Sequence, residues 1–155
     1  MPHTEPPANP NADRRHWMSV LARADDTAIE EGLAACGDIP VYTRMRGPEC
    51  GLVMVRGRAG GGGDPFNLGE MSVTRCTVRT DSGLVGHAYL AGRHERRAEL
   101  AALADALLQD PARAPALHAA LIEPLARQQQ ARRSSTAAKA AATKVEFFTM
   151  RTLQS

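Results

Sequence analysis

Apolar residues recur at helical spacing near the start of the chain and alternate in its middle, and this change of period marks out the elements. Trp17, Val20, Leu21 and Ala24 fall at i, i+3, i+4 and i+7, one face of a helix that Asp13 is placed to cap. Thr27 and Glu30 form a capping box that predicts a second helix start, and Gly37 behind Cys36 predicts its stop. From residue 41 the period is two, with Val41, Thr43 and Met45 set against Tyr42, Arg44 and Arg46. Gly47-Pro48-Glu49-Cys50-Gly51 predicts a break, after which residues 52–58 read as the hairpin partner. A second pair, residues 71–80 and 84–90, is joined by Asp81-Ser82-Gly83, which suits a tight antiparallel turn. The glycine-rich stretch from Ala59 to Pro65 between the pairs is a loop, because each glycine gives up side-chain packing and backbone restraint.

Residues 93–109 place Leu100, Leu103, Ala104 and Leu107 on one helical stripe that Pro111 closes. A further helix is expected from Pro124, whose ring suits a first helical turn. Its body, residues 127–143, is polar and alanine-rich, burying little by itself and suited to close packing on another chain. Val145 to Met150 alternates again and carries two of the three phenylalanines, predicting a last strand. The expected fold is α+β: an antiparallel sheet of four to five strands flanked by helices, forming one domain over residues 13–150. Residues 1–12, with four prolines and two asparagines, are expected to be a disordered tail, and residues 151–155 a terminal tail.

Composition narrows the chemistry. Hydrophobic residues at 43% and charged residues at 23% fit a globular protein, while aromatics at 4% leave alanine and aliphatics to fill the core. A formal charge of +2 is too small for bulk nucleic-acid binding, and scarce aromatics argue against base stacking. The three cysteines, Cys36, Cys50 and Cys76, show neither a C-x-x-C pair nor zinc-ligand spacing, and read as reduced, buried thiols. No apolar run reaches the ~18 residues of a membrane span, and no leader is visible at Met1, so a cytoplasmic protein is expected.

Few features carry reactive chemistry. The four-glycine run lacks the Gly-Lys-Ser/Thr ending of a phosphate loop: Asp64 would repel phosphate and Pro65 offers no amide. The five histidines show no metal-ligand arrangement, and no metal is expected. Arg75 and Arg79 share one strand face with Thr77 between them and could clamp a phosphate or phosphonate. With His87 and Arg93 they make the candidate contact set; the alternative is a solvated or salt-bridged sheet face. No catalytic residue is legible.

The chain also resembles a known family over nearly all of residues 14–150. Arg14-Arg15-His16-Trp17-Met18-Ser19-Val20-Leu21-Ala22 is similar to that family's opening helix. More specific are Gly51-Leu52-Val53-Met54-Val55-Arg56-Gly57-Arg58, Pro65-Phe66-Asn67-Leu68-Gly69-Glu70, Val73-Thr74-Arg75-Cys76, Gly86-His87-Ala88-Tyr89 and Gly92-Arg93, in this order. Lys144-Val145-Glu146-Phe147-Phe148-Thr149-Met150 is similar to the closing strand, although Arg151-Thr152-Leu153 replaces the usual aliphatic-Arg-Gly ending. The resemblance is to PhnG, the G subunits of the bacterial carbon-phosphorus lyase system. It implies a part in α-D-ribose 1-methylphosphonate 5-triphosphate synthase, which acts with subunits H, I and L to replace the adenine of ATP with an alkyl phosphonate. It further implies a core assembly of G, H, I and J in two copies each, with subunit I the home of the nucleosidase chemistry. This chain is then expected to be architectural, to pair with itself and with subunit I, and to bind no cofactor alone, ATP being a substrate of the complex. The rival classes are a stand-alone phosphate-ester or nucleotide enzyme using Arg75, Arg79, His87 and Arg93, and a nucleic-acid module using the arginines around Arg93 and Arg132-Arg133.

Overall fold

A computed structural model describes residues 10–143. Helices α1 (Pro10–Leu21) and α2 (Asp26–Ala35) lead into strands β1 (Tyr42–Arg58), β2 (Pro65–Thr80) and β3 (Val85–Ala91). Helix α3 (Glu95–Leu108) follows, then α4 (Ala114–Leu117), a π-helical segment (His118–Ile122) and α5 (Glu123–Ala142). The sheet is antiparallel in the order β1-β2-β3. The fold is α+β as expected, with three strands rather than four or five among the described residues. The expected strand at residues 145–150 and the tail at 151–155 lie outside them.

The strand count falls because the expected break at Gly47-Pro48 is absorbed inside one 17-residue strand. Register shifts between Arg44 and Arg46 and between Arg46 and Glu49 take up the extra residues as bulges, which bend the strand without ending it. Residues 52–58 are therefore the continuation of β1, and its hairpin partner is β2, reached through the glycine-rich loop. The Asp81-Ser82-Gly83 turn forms as expected: Thr80 N donates to Leu84 O at 2.9 Å, and Gly83 takes φ +89°, open to it for lack of a Cβ.

Helix α3 is the centre of the body. It packs on β2 and β3, with α1, α2 and α4 around it, so residues 98–108 are all buried. The expected stripe of Leu100, Leu103, Ala104 and Leu107 is one part of a helix buried all round. The lack of a side chain at Gly86 makes the close approach of β3 to α3 possible. A Cβ added at Gly86 would stand 1.9 Å from the Ala102 carbonyl oxygen and 2.5 Å from Ala106 N.

Three local expectations are corrected. Helix α1 starts at Pro10, so residues 10–12 are helical and Asp13 lies in the first turn, where its charge faces the positive helix end. The capping box at Thr27 does not form: α2 begins at Asp26, and Glu30 instead takes a 2.6 Å contact from Arg96 of α3. The helix expected from Pro124 forms as α5, starting at Glu123 with the proline in its first turn, and is preceded by α4 from Ala114, which the periodicity does not predict. The π-helical turn at His118–Ile122 accommodates Pro124, which has no N–H to give and whose ring would crowd a regular turn. Finally, of the three thiols only Cys76 is buried, Cys36 being half-buried and Cys50 exposed.

Candidate functional site

Arg75, Arg79 and His87 share the sheet face turned away from α3. Cross-strand register sets Thr77 opposite His87, Arg75 opposite Tyr89 and Arg79 opposite Val85. His87 Nδ1 lies 3.1 Å from Thr77 Oγ1, so the imidazole stands between the two arginines. Arg75 is engaged: its Nε donates to Glu49 Oε2 at 3.1 Å, and Glu49 also takes Arg46 at 3.2 Å. Arg93 does not join them, because it follows Gly92 beyond the last β3 pair, Val73 with Ala91, at the end remote from Arg79. The arginines after it act within the fold. Arg96 holds Glu30, and Arg97 Nη1 donates to Ala24 O at 3.2 Å, tying α3 to α2 and the turn before it.

Two buried carboxylates that the sequence reading did not single out organise the body. Asp105 is 0% exposed and accepts four hydrogen bonds. They come from Arg14 Nε (3.2 Å) and Nη2 (2.8 Å), Trp17 Nε1 (2.8 Å) and the backbone amide of His87 (2.9 Å). One side chain thus joins α1, α3 and β3, and its hydrogen bond and charge raise the Arg14 guanidinium above its ordinary pKa against the opposing effect of burial. The Trp17 ring, anchoring α1 as its periodicity predicts, also meets His118 edge-on at 5.6 Å.

Glu99 is the second node. It accepts from Tyr42 Oη (2.9 Å) and from Arg44 Nε (2.8 Å) and Nη2 (2.9 Å), which fastens β1 to α3. Burial alone would raise its pKa; the hydrogen bonds and charges of Arg44 and Tyr42 outweigh that and hold it below the usual carboxylate range. Burial, with the Glu99 contact, raises the Tyr42 phenol, and burial raises the Cys76 thiol.

Positive charge without carboxylates gathers elsewhere. An open groove of about 360 Å³ between α1 and α5 is lined by His16, Arg23, Arg127 and Arg133 among polar and small residues. Such a lining favours an anionic partner or ligand over a cationic one.

A further surface is apolar. β3 pairs only with Val73 to Arg79 of β2, so the outer half of the β1–β2 hairpin runs on as a two-stranded arm. Leu52, Met54, Phe66 and Leu68 are 46–62% exposed there, and Met71 is 38% exposed. By register, Leu52 and Met54 lie on the α3 side, and Val53, Val55, Phe66 and Met71 on the other. An arm apolar on both faces has the character of a docking surface.

The family model described as "Phosphonate metabolism protein PhnG" matches residues 12–152. The chain is 49% identical over 139 residues to the "Alpha-D-ribose 1-methylphosphonate 5-triphosphate synthase subunit PhnG" of Rhizobium meliloti (strain 1021), covering 90% of this chain and 88% of that protein. The chain belongs to the PhnG family of phosphonate metabolism proteins.

Proposed function

We propose that the chain is the G subunit of an α-D-ribose 1-methylphosphonate 5-triphosphate synthase and acts there as an architectural subunit. In this reading the complex, with subunits H, I and L, transfers the ribose triphosphate moiety of ATP to methylphosphonate and releases adenine. The chain takes its place in a core with H, I and J. Subunit I is its direct neighbour and carries the nucleosidase chemistry, and the chain holds no cofactor of its own. The observation that carries the reading is the near full-length likeness to a curated synthase subunit.

The geometry supports an architectural role over a reactive one. Arg75 is committed to Glu49, His87 to Thr77, and Arg93 stands apart from both. The exposed arm and the largely uncovered α5, in which Leu125 is the one buried residue, offer surface to neighbours.

Co-expression of tagged chain with its cognate subunit I, followed by sizing and an adenine-release assay, tests the reading. A stable complex is expected, with adenine released from ATP only when both subunits are present. Release by this chain alone would refute it and would direct the next mutants to Arg79 and His87.

A further inference from the structure

We infer that the groove between α1 and α5 is a binding site for an oligophosphate, an anion whose phosphates are joined in a chain. The inference stands on the groove itself; the subunit reading adds only a setting, since the reaction proposed there starts from and yields a triphosphate.

The groove is built where two helical stripes face each other. On α1, His16, Ser19, Val20 and Arg23 recur at i, i+3, i+4 and i+7, and on α5 the stripe runs from Ala126 to Arg133. Gln129 Nε2 donates to Val20 O at 2.9 Å, which ties α5 to the end of α1. Buried Val20 and half-buried Ala126 form the floor, and His16, Arg23, Arg127 and Arg133 are exposed along the rim.

The charge here is uncompensated. Neither the stretch from Arg14 to Ala24 nor that from Pro124 to Thr143 contains Asp or Glu. Elsewhere arginines are matched: Arg44 with Glu99, Arg75 with Glu49 and Arg96 with Glu30. A second open groove, about 310 Å³ at the starts of α2 and α3, mixes Arg96 and Arg97 with Asp25, Asp26 and Glu95. Arg23, Arg127 and Arg133 make no ion pair among the described residues. Arg23 Nη1 donates to Ser19 Oγ at 2.8 Å, which lays the guanidinium along α1 and leaves its Nε and Nη2 without partners among those residues.

Like charges gathered in this way repel one another, and an anion laid between them relieves the repulsion. Guanidiniums recognise phosphate oxygens through paired N–H donors. At about 360 Å³ the groove lies at the small end of the about 300–1,000 Å³ of small-ligand sites, which suits a compact, highly charged ligand over a polypeptide segment. From His16 to Arg23 the helix advances about 10 Å, so the cations are strung out along the groove. A chain of phosphates meets them in turn, whereas one phosphate reaches those at one end. No Phe, Tyr or Trp lines the groove to stack on a base, so the phosphate chain itself is what is recognised.

Isothermal titration calorimetry of the full-length chain with sodium tripolyphosphate, ATP, AMP and orthophosphate tests the site. Tripolyphosphate and ATP should bind alike, at one site per chain, and AMP and orthophosphate at least about tenfold more weakly. Arg23→Gln and Arg133→Gln should each weaken tripolyphosphate about tenfold, the loss of a hydrogen bond between charged groups. Arg56→Gln, which removes the same charge from the hairpin arm, should leave binding unchanged. All three side chains are exposed, and circular dichroism checks that the variants fold. Absence of saturable tripolyphosphate binding overturns the inference, as does binding that Arg23→Gln and Arg133→Gln leave intact. ATP binding without tripolyphosphate binding overturns it in favour of base recognition. Tighter binding of poly-L-glutamate or single-stranded DNA overturns it in favour of a macromolecular partner. Failure of the subunit reading would show in adenine release and leave this binding intact; failure of the oligophosphate site would show in the titration alone.

Discussion

The inner and outer halves of the long hairpin share two strands but differ in what lies beside them. In the inner half, β2 has β3 on one side and α3 beneath, and Thr74, Cys76, Val78 and Thr80 are buried. In the outer half neither neighbour is present, and Leu52, Met54, Phe66 and Leu68 face solvent. Both halves are rich in strand-forming residues. Apolar content therefore makes a strand, and only the third and fourth neighbours turn it into core. The inner half stabilises this chain; the outer half leaves its apolar side chains to solvent.

Substitution should separate the two. The largest loss is expected from Asp105→Ala, which leaves Arg14, Trp17 Nε1 and the His87 amide without their acceptor; breaking such a buried pair costs about 3–5 kcal/mol. Chemical denaturation of the variant measures it. Gly86→Ala should follow, at about 3 kcal/mol, because its methyl group would enter the α3 backbone. Glu99→Gln should alter the pH dependence of stability. The Glu99 pKa is depressed in the fold, so its contribution is complete above the ordinary value of 4.5 and is lost as pH falls through the lower folded value. Denaturation midpoints followed from neutral pH downward should thus fall less for the Gln variant than for wild type. Smallest of all, Leu68→Ser in the arm should change the stability of the isolated chain by about 0.5 kcal/mol or less. A large loss there would erase the distinction between the halves.

Periodicity made much of this architecture legible. The Trp17 face, the Asp81-Ser82-Gly83 turn and the bulk of α3 follow from spacing and turn chemistry alone. Gly47-Pro48 misled because the same residues that stop a strand can bulge at an edge, where a missing amide costs no ladder bond. Pro124 read correctly as a helix opener, since α5 starts at Glu123 with the proline in its first turn, while the short α4 and the π-helical segment before it left no legible signal. Asp105 was hidden by its setting: one acid in Leu-Ala-Asp-Ala-Leu reads as the wet side of a helix. The signal that could have found it was the apolar character of every other face of α3, which requires a buried acid to be paired. In the candidate site, the shared strand face of Arg75 and Arg79 was legible, while the tie from Arg75 to Glu49 depended on the bulges.

Amide hydrogen exchange along β1, in the dilute free chain and in the assembled complex, tests most directly the claim that the arm is completed by assembly. The outward-facing amides of residues 50–55 should exchange rapidly in the free chain and become protected on assembly, while those of β3 and α3 stay equally protected in both. Equal protection of residues 50–55 in the two states would contradict it, and would make the arm a finished part of the isolated fold.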